Sequence, residues 1–140
     1  MGSDRQDISA AIVTQLKTVS ALHNRVYAYE PGELTAFPTV SVVGAGFTDR
    51  ITDTAGDLRF YEYDVIVYLQ RGRQGFGSEG GERVRRELED DVMAALDAKQ
   101  TLDGTVLWLR ARSGGWGYTA GNDIAFFILN LTACKHVTIS

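Results

Sequence analysis

The chain has 140 residues, enough for one domain that buries roughly 70% of its unfolded surface without a disulfide or metal staple. Its 44% apolar and 23% charged content excludes a disordered or fibrous chain, and 14 Lys+Arg against 18 Asp+Glu leave a net charge of -4 with no global pull toward nucleic acid or an anionic membrane. One cysteine, Cys134, excludes an intrachain disulfide and a cysteine-rich zinc site and fits a reducing compartment, and His23 and His136 add little to the possible metal ligands.

The first predicted element is a helix starting near Asp4 or Asp7, because Ile8, Ile12, Leu16 and Val19 recur at helical spacing behind acidic residues. Its expected end is His23-Asn24. A short extended run, 25–29, leads into the turn signal Glu30-Pro31-Gly32, and Pro38 fixes the approach to a strand over 39–43. Gly44 and Gly46 mark a bulge or bend. The polar stretch 47–57 reads as a mobile loop or a long hairpin arm.

The strand over 60–69 has the clearest pattern in the chain. Tyr61, Tyr63, Val65, Val67 and Leu69 form one face, expected against a core, and Phe60, Glu62, Asp64, Ile66 and Tyr68 form the other. The segment 71–81 that follows has five glycines in eleven positions, with Phe76 as its large apolar residue, so it is expected to be a mobile loop in an isolated subunit.

A second helix is predicted from about Ser78, with Glu79 and Glu82 near its positive end and Val84, Leu88, Val92, Ala95 and Leu96 as the buried stripe. Pairs such as Glu82–Arg86 and Arg86–Asp90 mark a solvated face. A turn at TLDG precedes a strand over 105–112, in which Val106, Trp108 and Arg110 alternate with Leu107, Leu109 and Ala111. A glycine-rich break over 113–122 leads to a last strand with Ala125, Phe127, Leu129, Leu131 and Ala133 on its apolar face. His136 is expected in a tail beyond it.

The order α-β-β-β-α-β-β without repeated βα units predicts an α+β domain: a mostly antiparallel sheet of about four or five strands with two helices packed on one face. Phe60, Ile66, Tyr68, Phe126 and Ile128 then form an apolar patch on the other face, either exposed for a partner or enclosed by a curved sheet or half-barrel.

Catalytic signals are scarce. The sequence has no H-E-x-x-H, G-x-S-x-G, P-loop or C-x-x-C pattern, so the expectation is a protein that is not an enzyme and carries no cofactor. His23 and His136 read as structural. Glu62 and Asp64 share a strand face and could act as paired carboxylates in a small hydrolase, but they read better as a solvated or interface surface. Asp49, Asp53 and Asp57 lack the ligand alternation and closing glutamate of an EF-hand and read as solvated charges. Near the second helix Arg71, Arg73, Arg83, Arg85 and Arg86 are balanced by Glu79, Glu82, Glu87, Glu89 and Asp90, which speaks against a DNA-reading surface. Arg71 and Arg73 remain able to touch phosphate or a partner's carboxylates. Eleven of the fourteen cations are arginine, a bias that suits protein interfaces.

No apolar run reaches the roughly 20 residues of a bilayer span, and MGSDRQD lacks the basic start and apolar core of a signal peptide. The expectation is a protein that stays where it is made or is carried out within something larger.

The order of an amphipathic helix, RVYAYEPGELTAFPTVSVV (25–43), LRFYEYDVIVYL (58–69), a helix ending VMAALDAKQTLDGTV (92–106) and a long apolar strand resembles the tail terminator, or tail-completion, proteins of long-tailed bacteriophages, the minor tail protein U group. The resemblance covers most of the chain, and that family is defined by order and pattern without catalytic residues. It implies a usually hexameric ring at the head-proximal end of the tail tube, which ends tube polymerisation and makes the joint to the head neck. The implied partners are other copies of the chain, the tail tube protein and a head-neck or connector protein, with DNA passing through the lumen without specific binding and no membrane. The implied location is the virion, after assembly in the host cytoplasm. Thr48, Asp49, Arg50, Asp53 and Asp57 on one segment and Arg71, Arg73 and Phe76 on the other are the candidate assembly residues, with Glu62 and Tyr68 on the strand between them. Another neck component, such as a head-closure or head-completion protein, shares these features.

Overall fold

The computed structural model describes residues 4–22, 25–28, 38–51, 56–70, 79–102, 104–118 and 124–138. Helix α1 spans Asp4–Leu16, strand β1 Val26–Tyr27, β2 Thr39–Ile51, β3 Gly56–Gln70, helix α2 Glu79–Ala98, β4 Trp108–Tyr118 and β5 Ile124–Thr138. The five strands form one sheet in the order β1-β2-β3-β5-β4, antiparallel except for the parallel β1–β2 pair. The chain is thus an α+β domain, as the element order predicts.

The alternation along β3 and β5 decides where the helices sit. Tyr61, Tyr63, Val65, Val67 and Leu69 on β3 and Phe127, Leu129, Leu131 and Ala133 on β5 are buried on one face. Ile8, Ile12 and Leu16 of α1 and Leu88, Val92 and Leu96 of α2, each set spaced four apart, join them in one apolar core. A fully buried side chain of this kind contributes about 1.5–3 kcal/mol relative to exposure, so this layer carries the fold. Gln15 donates from Nε2 to the Ala95 carbonyl at 2.7 Å, tying the helices together above the sheet.

β3 and β4 run in the same direction with β5 between them, so the chain needs a long crossover to return to the starting end of the sheet. Helix α2 makes that crossing. It begins at Glu79, one residue after the predicted start.

Three boundaries differ from expectation. Helix α1 ends at Leu16, short of His23-Asn24, which lies outside the described residues. The Thr18 hydroxyl donates to the Gln15 carbonyl at 2.6 Å, competing for the carbonyl that a continuing helix would use, and the chain tightens into a 3₁₀ turn at Ser20–Leu22. The predicted glycine-rich break at 113–122 is instead strand as far as Tyr118, whose register partner is Ala125. His136 is not in a tail, because β5 continues through it opposite Leu58.

The predicted mobile loop at 47–57 is largely paired strand. Phe47 through Ile51 pair with Tyr61 through Asp57, and β5 extends the same arm by pairing Gly56–Phe60 with Thr138–Cys134. Of the two sequence readings, loop or hairpin arm, the arm is correct.

The register shifts on the two strands that flank the β3–β5 pair. β2 carries an irregularity between Gly44 and Gly46, and β4 carries one between Ala111 and Ser113. Gly44 is the partner of Tyr63, Tyr63 of Leu131 and Leu131 of Ala111, so both bulges flank one level of the sheet. Bulges bend the strand that contains them, and here they fall on β2 and β4 at the same level. Gly46 has φ 137°, a conformation that favours glycine.

Candidate assembly surface

Among the described residues no helix covers the second face of the sheet. It is organised in cross-strand rows. Tyr68 and Phe126 are register partners at one end, followed by Ile66 and Ile128, then Asp64 and Asn130, then Glu62 and Thr132, then Phe60 and Cys134. β4 continues these rows with Gly117, Gly115, Ser113, Arg110 and Trp108 in the same order. The face is therefore apolar at both ends and polar in the middle.

Aromatic contacts build the ends. Tyr68 and Phe126 have ring centroids 6.4 Å apart. Phe126 lies over Gly117, where an added Cβ would stand 2.7 Å from the ring. At the other end Phe60 and Trp108 sit on strands either side of β5, yet their centroids are only 6.0 Å apart. The rings lean together over Cys134, which is buried, and the Arg110 guanidinium stacks 5.4 Å from the Trp108 ring. Burial raises the pKa of the Cys134 thiol above its usual value of 9.0.

Between the aromatic ends, at the level of the bulges, lies a concavity of about 490 Å³ lined by Ala45, Glu62, Asp64, Asn130 and Thr132 together with Tyr63 and Leu131. The bulges lie where the polar row crosses the sheet. A smaller hollow of about 380 Å³ lies between α1 and β2, walled by Gln6, Ser9, Ala10, Ala28, Val42, Gly44 and Tyr63. The described residues contain no group of three His, Cys, Asp or Glu able to hold a metal ion, and no described helix is long and apolar enough to cross a membrane.

The predicted site residues separate into three groups. Thr48, Asp49, Arg50 and Asp57 are on the paired arm of β2 and β3. Glu62 is exposed at the concavity, whereas Tyr68, a candidate contact, is buried at 9% exposure against Phe126. Asp53, Arg71, Arg73 and Phe76 lie outside the described residues, as do residues 71–78 of the predicted loop 71–81, whose last three residues are instead the start of α2. The apolar patch is neither freely exposed nor enclosed by a barrel: Phe60, Ile66, Phe126 and Ile128 are half-buried by their neighbours on a bent open sheet. Sequence reasoning missed the Phe60–Trp108–Arg110 cluster and Asn130. The alternation of Trp108 and Arg110 with Leu109 and Ala111 puts the first two on one face, but the partner strand and its register come only from the fold.

No family model matches the sequence, and no curated protein matches it either. Solved structures do. One chain of the structure described as the virion of a native gene transfer agent (GTA) particle superposes with a TM-score of 0.60 over 92% of this chain and 94% of that chain, at 17% identity. The likeness establishes that the two chains share a fold along nearly their whole lengths.

Proposed function

We propose that this chain is a structural component of a phage-like virion and acts as a tail terminator. In this reading its copies form a ring at the head-proximal end of the tail tube, end tube polymerisation and provide the joint to the head neck. The observation that carries it is the fold likeness, over nearly the whole of both chains, to a chain of a gene transfer agent virion, taken with the tail terminator pattern in the sequence. The surface described above supports an assembly role: a sheet face without a helix layer, with an arginine stacked on tryptophan and half-buried aromatics, has the composition of a protein interface. In this reading the paired arm of β2, β3 and β5 contacts a neighbouring ring.

The role is non-catalytic. In this reading Glu62 and Asp64, which line the concavity, serve recognition.

Disrupting the coding sequence and imaging the resulting particles by electron microscopy tests the proposal. Overlong tails that do not join heads are expected. Normal tails beside leaking heads would assign the chain to head closure instead, and complete particles lacking the chain would refute a virion role.

A further inference from the structure

The polar middle of the open face gathers oxygen-bearing side chains on two adjacent rows. Glu62 and Thr132 are register partners, as are Asp64 and Asn130, so the four stand at the corners of a rectangle about 5 Å across the strands and about 7 Å along them. All four line the concavity of about 490 Å³, whose wall contains no lysine, arginine, histidine or cysteine.

Two of the four lack an answer within the chain. Thr132 is buried at 4% exposure, yet its hydroxyl has no hydrogen-bond partner among the described residues. A buried hydroxyl in that state is unfavourable unless something in the space beside it makes the missing contact. Half-buried Asp64, in the next row, likewise has no hydrogen bond or ion pair among the described residues, and its row neighbours Val43 and Asn130 carry no charge. Glu62 and Asn130 are engaged within the chain, but a carboxylate has about four lone-pair sites and an amide oxygen has two, so both retain acceptor capacity. Arg110, the cation in the Glu62 row, lies beyond β5 and stacks on Trp108.

The occupant must therefore satisfy a carboxylate and a hydroxyl at once, among donors that are all oxygen. That set matches a hard divalent cation, whereas zinc or copper would call for imidazole or thiolate. Calcium fits better than magnesium, because it accepts irregular sets of six to eight oxygens and magnesium demands near-ideal octahedral geometry. With two carboxylates the site is weak, and water completes the shell in a concavity of this size.

We propose that the concavity is a calcium site, with Asp64 as the principal ligand, the Thr132 hydroxyl and the Asn130 amide oxygen as neutral ligands, and exposed Glu62 closing it. The cation bridges β3 and β5 between the two aromatic ends. Its water positions can be taken by a partner's carboxylate or carbonyl, so the site is compatible with recognition by this face and does not depend on the tail reading.

In the test, the full-length protein is freed of metal by chelation and titrated with calcium chloride, against sodium chloride of equal ionic strength. Binding is followed by calorimetry, thermal melts and terbium luminescence. With a dissociation constant of about 1 mM, 10 mM calcium is expected to raise Tm by about 5 °C, and magnesium by less. Asp64→Asn is expected to weaken binding about tenfold or more. Thr132→Val separates ligand from scaffold: loss of a hydroxyl without a protein partner should leave the metal-free Tm equal or higher, yet weaken calcium binding several-fold. Asp91→Asn, exposed on α2, is expected to bind as wild type does. A calcium effect reproduced by sodium chloride, or unchanged by Asp64→Asn or by Thr132→Val, overturns the site. Equal losses in Asp91→Asn and Asp64→Asn also overturn it, because they show diffuse attraction to an acidic protein.

Discussion

Replacing Phe127 by alanine removes the largest fully buried side chain among the described residues, from a central strand and on the face covered by both helices. The change loses the transfer free energy of the ring and leaves a cavity that a sheet paired on both sides closes poorly, a cost of about 3–5 kcal/mol. Phe126, one residue earlier, points to the open face and is half-buried. Its replacement loses about half a burial term, near 1 kcal/mol, and the ring contact with Tyr68, worth about another 1 kcal/mol. With about 3–5 °C per kcal/mol for a domain of this size, Phe127→Ala is expected to lower Tm by about 10–20 °C and Phe126→Ala by about half as much. Thermal melts followed by circular dichroism, with urea titrations to compare m-values, measure both. Phe126→Ala should keep the native m-value and still lose incorporation into particles. If Phe126→Ala proves as costly as Phe127→Ala, the division into a core face and an open face is wrong.

Gly117→Ala is expected to cost about 1–3 kcal/mol, because the new methyl would stand 2.7 Å from the Phe126 ring. In a Phe126→Ala background the penalty should largely vanish; strictly additive Tm losses would show that the ring does not lie over the glycine. Cys134 is buried under Phe60 and Trp108, so iodoacetamide at pH 8 should label the native protein far more slowly than the urea-unfolded chain, and equal rates would place the thiol at the surface. The thiol's folded-state pKa is raised by burial, so its contribution to stability is complete below the unfolded value near 9.0 and is lost as pH rises through the folded value. Urea titrations across pH 8 to about 10.5 should show the stability of the wild type falling relative to that of Cys134→Ala as pH rises.

Much of the fold is visible in side-chain alternation. Leu88, Val92 and Leu96 have a helical repeat, and Tyr61 through Leu69 and Phe127 through Ala133 have a repeat of two, so burial on one face follows from local geometry. The same reasoning failed where composition and pairing disagree. Residues 47–51 are polar and read as loop or hairpin arm, and 113–118 are rich in glycine and read as a break, yet both are strand because neighbours on β3 and β5 satisfy their backbone groups. A strand outside the core needs hydrogen-bond partners and no apolar side chain, and composition does not record who those partners are.

The candidate surface divides in the same way. Periodicity alone assigns Phe60, Glu62, Asp64, Ile66 and Tyr68 to one face and predicts that this face differs from the core. Which strands flank it, that Phe60 reaches Trp108 across β5, and that Asp64 stands level with bulges on β2 and β4 were decided by strand order and register. Those are non-local quantities. A local pattern specifies which side of a strand meets the core, whereas the neighbour of that strand depends on the path of the whole chain.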